Sequence, residues 1–285
     1  MPSRMPPIES DTSDNTNWIP GIYNYCDRWC ERCDFTSRCK SFALEIKSGA
    51  ERNEEDDEEL PAENDMRSKE FWVELESSMN ETLEMLHRLS SSQSAEGEVL
   101  NDQQWEDQKK RDEEIEQKAG AHPIALAAWK YSDMVEEWML EQKSMLDEKY
   151  AELETRVKLD ASARRASTEA DLIRDAVEVI RWYEPQIWVK LMRALTGKIA
   201  EVGEEANQDL PSDADGSAKV ALIGMDRSLG AWGQLQFIFP DQTNDFITIL
   251  LHLDRLRRKV EQEFTAARNF HRAGFDDLTE PDHER

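Results

Sequence analysis

The stretch from Thr168 to Ile199 reads TEADLIRDAVEVIRWYEPQIWVKLMRALTGKI. Its apolar residues Leu172, Val177, Ile180, Ile187, Leu191 and Leu195 recur at intervals that keep them on one side of a helix. Pro185 falls inside this run, where a missing N–H and a steric clash predict a kink. The same period continues on either side. Upstream, Phe71, Leu75, Met79, Leu83 and Leu86 mark one helix. Ile124, Trp129, Met134, Trp138, Met145 and Leu153 mark another, which reaches to about Leu159. Pro123 suits its first turn, because the N–H that proline lacks would be unpaired there anyway. Downstream, a fourth helix is expected from about Ala218 to Phe239, with its N-cap in Asp215-Gly216-Ser217. A fifth is expected from about Asn244 to Phe270, carrying Phe246, Leu250, Leu253, Leu256, Val260 and Phe264. No strand-like alternation of useful length is present. The fold class is all-α, a bundle of about five long helices, since only partner helices can bury so many amphipathic faces.

Composition narrows the function. Among 285 residues, 61 acids oppose 35 Lys and Arg, for a formal net charge of −26. Such a chain does not bind nucleic acid non-specifically, which takes a basic surface that replaces counterions. It is equally unlike a polybasic protein of the membrane surface. The longest uncharged run, Ser228 to Pro240, falls short of the ~20 residues a spanning helix needs. No apolar stretch near Met1 resembles a signal peptide, so the expected compartment is the cytoplasm.

The charge also marks segments. Glu54 to Glu59 is an unbroken acidic run followed by Leu60-Pro61, which repels itself and reads as solvated linker. The expected organisation is a disordered N-terminus over 1–20, a four-cysteine segment over 21–47 and an acidic linker over 48–66. The helical bundle then occupies 67–272, and 273–285 forms a disordered tail.

All four cysteines fall in Cys26-Asp-Arg-Trp-Cys30-Glu-Arg-Cys33-Asp-Phe-Thr-Ser-Arg-Cys39, spaced C-x3-C-x2-C-x5-C. Disulfides would need an oxidising compartment that nothing here indicates. Zinc accepts four thiolates, but its structural sites usually draw two pairs from separate turns. An iron–sulfur cluster is larger than one ion, so a single winding loop can reach its corners, and C-x2-C spacings are common there. The expected cofactor is therefore an iron–sulfur cluster of the 4Fe–4S type on Cys26, Cys30, Cys33 and Cys39, with zinc as the alternative. Tyr23, Tyr25, Trp29 and Phe35 could shield such a centre, and Arg28, Arg32 and Arg38 could offset its charge.

Two local resemblances accompany this motif. Cys30-x2-Cys33-x5-Cys39 resembles the iron–sulfur staple of RecB-family and CRISPR-associated nucleases, although the strands that carry the nuclease core in that family are absent from this reading. Cys26-x3-Cys30-x2-Cys33 has the spacing of radical-SAM enzymes, whose three cysteines leave one iron open. The fourth cysteine argues for a closed centre instead. More broadly, Gly21-Ile-Tyr-Asn-Tyr-Cys-Asp-Arg-Trp-Cys-Glu-Arg-Cys, with the segments Asp175–Leu195 and Asp215–Gly233, resembles a family of uncharacterised bacterial all-helical proteins. That resemblance implies a shared architecture and no reaction.

Other candidates are weaker. Glu84-Met-Leu-His87 is an E-x-x-H, the element that di-iron bundles use in pairs. Its only counterpart, Glu280-Pro-Asp-His283, lies in the expected tail. On the fourth helix, Asp226 and Arg227 interrupt an apolar run, so both are expected to be buried and paired with the third or fifth helix. A second metal site on Glu178, Asp226 and His252 is the competing reading of those residues. Arg255, Arg257, Arg258 and Lys259, with Lys190, Arg193 and Lys198, would form a basic patch unless the chain's own acids pair with them. No phosphate-loop, dinucleotide or nucleophile-elbow motif occurs. The expectation is a metal-binding protein with a structural or electron-transfer role, leaning away from an enzyme; a bundle metalloenzyme is the alternative.

Overall fold

The computed structural model describes residues 17–52, 102–159, 163–201 and 212–277. The helix expected at Phe71 to Leu86, with Glu84 and His87, lies outside these residues, as does the acidic run Glu54 to Glu59. Every regular element described is helical, so the all-α class holds. Seven α-helices are present among the described residues: α1 (Lys40–Arg52), α2 (Asp102–Gly120), α3 (Pro123–Glu141), α4 (Lys143–Lys158), α5 (Ala163–Glu201), α6 (Asp213–Ile238) and α7 (Thr243–Glu263). No described helix is long and apolar enough to cross a membrane.

The chain divides into two compact units. One falls within Met1–Glu58 and His271–Arg285, the other within Glu59–Phe270.

The larger unit is built on α5, a 39-residue helix about 58 Å long at 1.5 Å per residue. It packs against α2, α3, α4 and α6, while α7 packs against α3 and α6. The buried side of α5 runs through Ile173, Ala176, Ile180, Tyr183, Ile187, Leu191 and Ala194, in steps of three and four. Leu172, expected inside, is exposed, because the stripe passes through Ile173 instead of its neighbour. The helix passes through Pro185 without ending.

The expected helix from Pro123 to about Leu159 is two helices, since Gln142 steps out of helical geometry at φ −92° and ψ 7°. The charged stretch before it is itself helical. In α2, Gln103 bonds Asp107 and Gln108 bonds Asp112 across one turn, and Lys118 lies 3.8 Å from Glu114. Such pairs stabilise a polar helix where an apolar stripe is thin. The fourth expected helix begins earlier than its hydrophobic run. Ser212, not Asp215, is the N-cap of α6, its hydroxyl accepting the Ala214 N–H at 3.1 Å. The fifth ends at Glu263, and the chain then turns through Ala267–Asn269.

Aromatic residues fill the centre where α3, α6 and α7 meet. Trp138 stands edge-on to Trp232 at 5.0 Å, and Phe246 packs against both. Tyr131 and Trp232 are fully buried, and the Trp232 indole N–H donates to the Tyr131 hydroxyl at 3.0 Å. Gly224 lets α6 approach α5 closely: a Cβ there would lie 3.0 Å from the Tyr183 ring and 3.2 Å from Ile187. Ser228 and Ala231, on the same side of α6, are buried too.

Candidate metal centre

In the smaller unit the cysteine segment winds through three short 3-10 turns, Ile22–Tyr25, Cys30–Arg32 and Thr36–Arg38. The residue after each turn is a cysteine in extended backbone, Cys26, Cys33 and Cys39 in order. Cys30 opens the second turn. Gly21 starts the first turn at φ 74°, a conformation that costs glycine nothing. Arg28 reverses the chain between Cys26 and Cys30 at φ 57°, the one described non-glycine residue with positive φ. That geometry costs an L-residue roughly 1 kcal/mol. The Asp27 carboxylate accepting the Trp29 N–H at 3.2 Å, and the Arg28–Glu45 ion pair at 3.0 Å, hold it in place.

This winding brings the four cysteines to one place. Cys26, Cys30, Cys33 and Cys39 all line a single cavity of about 30 Å³, whose wall also includes Ile22, Tyr23, Trp29, Thr36, Phe42 and Phe275. Trp29 is buried, with the Arg32 guanidinium 4.1 Å from its ring centre. Of the aromatics read as shielding, Tyr23 and Trp29 belong to the wall, and Phe35 supports it by packing edge-on to Phe275 at 5.1 Å. Of the three arginines read as charge balance, Arg28 alone lines the cavity; the Arg38 Nε–H donates to the Asn17 carbonyl at 3.3 Å.

The thiols are free and partly buried. Burial pushes Cys30 up to about 11, with Glu45, Cys26, Cys33 and Glu31 adding to the shift. Burial raises Cys33 as well, against a hydrogen bond at Phe35 that lowers it, while Asp27, Cys26 and Cys39 raise it further. A nucleophilic or exchange-active cysteine has a depressed pKa, so these thiols are poorly suited to such chemistry. They would give up their protons to a bound cation.

Among the described residues, no three His, Cys, Asp or Glu side chains are gathered tightly enough to hold a single metal ion. This holds for the four cysteines as they stand and for Glu178, Asp226 and His252 alike, and the structure gives two of the latter three other work. Asp226 pairs with Arg268 at 2.5 Å and with Arg257 at 3.5 Å. The His252 ring nitrogen lies 2.8 Å from the Ala127 carbonyl, and Glu178 is on the exposed side of α5.

Asp226 does pair with the fifth expected helix, here α7, but neither it nor Arg227 is buried. Both lie on the exposed edge of α6, between buried Met225 and Ser228. Arg227 donates to the Tyr183 hydroxyl and sits over its ring. Four of the seven basic residues read as a patch are held by the chain's own acids. Arg193 holds Asp213 through two hydrogen bonds, Lys198 holds Glu263 at 2.7 Å, and Arg257 and Arg258 share Asp254.

Thr36, Phe42 and Phe275 were not apparent as site residues from the sequence. Phe275 in particular fell in the segment read as tail. A search of family models, curated proteins and solved structures finds no match to this chain.

Proposed function

We propose that this protein binds an iron–sulfur cluster through Cys26, Cys30, Cys33 and Cys39, in a structural or electron-transfer role. The observation that carries the reading is the shared cavity: four cysteines from a 14-residue stretch line one space whose remaining wall is largely apolar. The C-x3-C-x2-C-x5-C spacing supports the cluster as well, since one winding loop reaches the corners of a polynuclear cluster more readily than it closes on a lone ion. When bound, such a cluster supplies one-electron exchange. The chain's part is to provide thiolates, exclude water with Ile22, Trp29 and Phe42, and fix the loop through the three 3-10 turns.

One observation favours a second reading, zinc. A cavity of about 30 Å³ holds roughly one water-sized body, which suits an ion without any widening of the loop. Purification without oxygen, followed by visible spectroscopy, separates the two. A cluster gives brown protein that bleaches on reduction, whereas zinc, being d10, is colourless. The proposal predicts colour in the intact chain and its loss in Cys33→Ser. Metal-free, colourless protein after anaerobic preparation would end both readings.

A further inference from the structure

The wall of the cysteine cavity is not made by the N-terminal segment alone. Phe275, more than two hundred residues further along the chain, lines it together with all four cysteines. The segment that delivers Phe275 is locally braced. The Arg272 backbone N–H and guanidinium both bond the Asp276 carboxylate, at 3.0 to 3.2 Å, and the same guanidinium lies 4.8 Å from the Phe275 ring centre. The Gly274 N–H bonds Asp277 at 2.8 Å. Gly274 itself turns at φ 80°, and a Cβ there would meet Ile22 at 3.0 Å and Ile19 at 3.1 Å. Ile19 is in turn tied to the cysteine loop by its N–H, which donates to the Arg38 carbonyl at 3.1 Å. Glycine is therefore needed twice at one position, for the turn and for the close approach. The next residue, Phe275, meets Phe35 edge-on.

We infer that the segment from His271 to Asp277 is the cover of the metal centre, with Phe275 as the positioning residue that keeps water and oxygen from the cysteines. The inference rests on the proposed four-thiolate centre and adds to it a second chain segment, with a specific consequence. Solvent access sets both the lability of a cluster and its potential. Removing the Phe275 ring lets water reach the thiolates, which stabilises the more negatively charged reduced state. The potential then moves in the positive direction, and oxygen attacks faster.

The test uses the full chain, prepared without oxygen, as wild type, Phe275→Ala, Phe275→Leu and Gly274→Ala. Phe237→Ala serves as a control, because Phe237 is 89% exposed and lies in the other unit. Each protein is exposed to air and its visible absorbance followed; if the metal is zinc, the rate of transfer to a chelator replaces the bleaching rate. The cover predicts that Phe275→Ala and Gly274→Ala lose the metal at least about fivefold faster than wild type. Phe275→Leu, which keeps an apolar wall, stays within about twofold, and Phe237→Ala is unchanged. Where the centre is a cluster, Phe275→Ala also raises its reduction potential. Loading of Phe275→Leu but not of Phe275→Ala would support the cover equally, as a wall required for assembly. Loss of metal at the wild-type rate in Phe275→Ala, or failure of Phe275→Leu to load, would overturn the cover while leaving the metal centre intact. A wild-type chain that takes up no metal would overturn the centre and the cover together.

Discussion

Tyr131→Phe removes one oxygen from the middle of the larger unit, and the structure sets what that should cost. Tyr131 is 0% exposed, and its hydroxyl is the acceptor for the Trp232 indole N–H at 3.0 Å. Trp232 is itself fully buried, so water cannot replace the lost acceptor. A buried donor left without a partner costs about 1–3 kcal/mol. The space vacated by one oxygen adds only a few tenths, at roughly 24 cal/mol per Å³ of cavity. The expected loss is therefore about 2 kcal/mol, or roughly 4–8 °C in Tm for a unit of this size. Denaturant unfolding followed by far-ultraviolet circular dichroism would measure it.

Trp232→Phe and the double variant close a cycle. The hydrogen bond predicts a coupling of about 1 kcal/mol. A single-variant loss below about 0.5 kcal/mol, or strict additivity in the cycle, would refute the claim that this hydrogen bond stabilises the core. A pH dependence follows as well. Burial holds the Tyr131 hydroxyl well above its ordinary pKa, so above about pH 10 the unfolded chain loses a proton that the folded chain keeps. Stability falls with rising pH there, and Tyr131→Phe should flatten that fall.

Three further outcomes are expected. Asp226→Ala should cost only about 1 kcal/mol, because the carboxylate is 41% exposed and Arg257 and Arg268 retain Asp254 and Glu261 as partners; a loss above 3 kcal/mol by denaturant unfolding would contradict the exposed placement. Burial, aided by the nearby Glu136 carboxylate and opposed by a hydrogen bond from Ser132, pushes Glu184 up to about 7. The folded state keeps that proton while the unfolded chain loses it near pH 4.5, so this contribution to stability is lost as pH rises towards 7. Glu184→Gln should accordingly stabilise the protein by about 1–3 kcal/mol at pH 8 and make little difference at pH 4; equal effects at both pH values would refute the shift. Metal uptake by the stripped chain should strengthen as pH rises from 6 to 8, since the raised Cys30 and Cys33 thiols must release protons; pH-independent uptake in a metal titration would show that these thiols are not ligands.

Helix class and core were legible because burial on α5 and α6 follows a period of three to four. The errors came where that period was read one residue off or not read through. Ile173 and Ala176 carry the buried stripe that Leu172 and Val177 were expected to begin. Asp226 and Arg227 were expected inside because their neighbours are apolar. Lys219, Ile223, Asp226, Arg227, Gly230, Gln234 and Phe237 nonetheless repeat every three or four residues along the less buried edge of α6, a pattern visible without coordinates. The N-cap at Ser212 was hidden by an acidic stretch that resembles a loop, although Asp213 and Asp215 suit the first turn of a helix.

In the cysteine segment, the spacing shows the four cysteines as a set, and Gly21 and Asp27 are the turn signals. The contribution of Phe275 had no local signal. Its ring partner Phe35 lies at the other end of the chain, and only the folded structure brings residues so far apart in sequence together. Gly274-Phe275 beside Asp276-Asp277 reads in isolation as a polar terminus.

Native mass spectrometry of the full chain, prepared and sprayed without oxygen, tests the central claim most directly. The account predicts a single dominant species heavier than the bare chain by about four iron and four sulfide, and that increment should vanish in Cys33→Ser. The bare mass alone, from fresh protein with all four cysteines reduced, would contradict it.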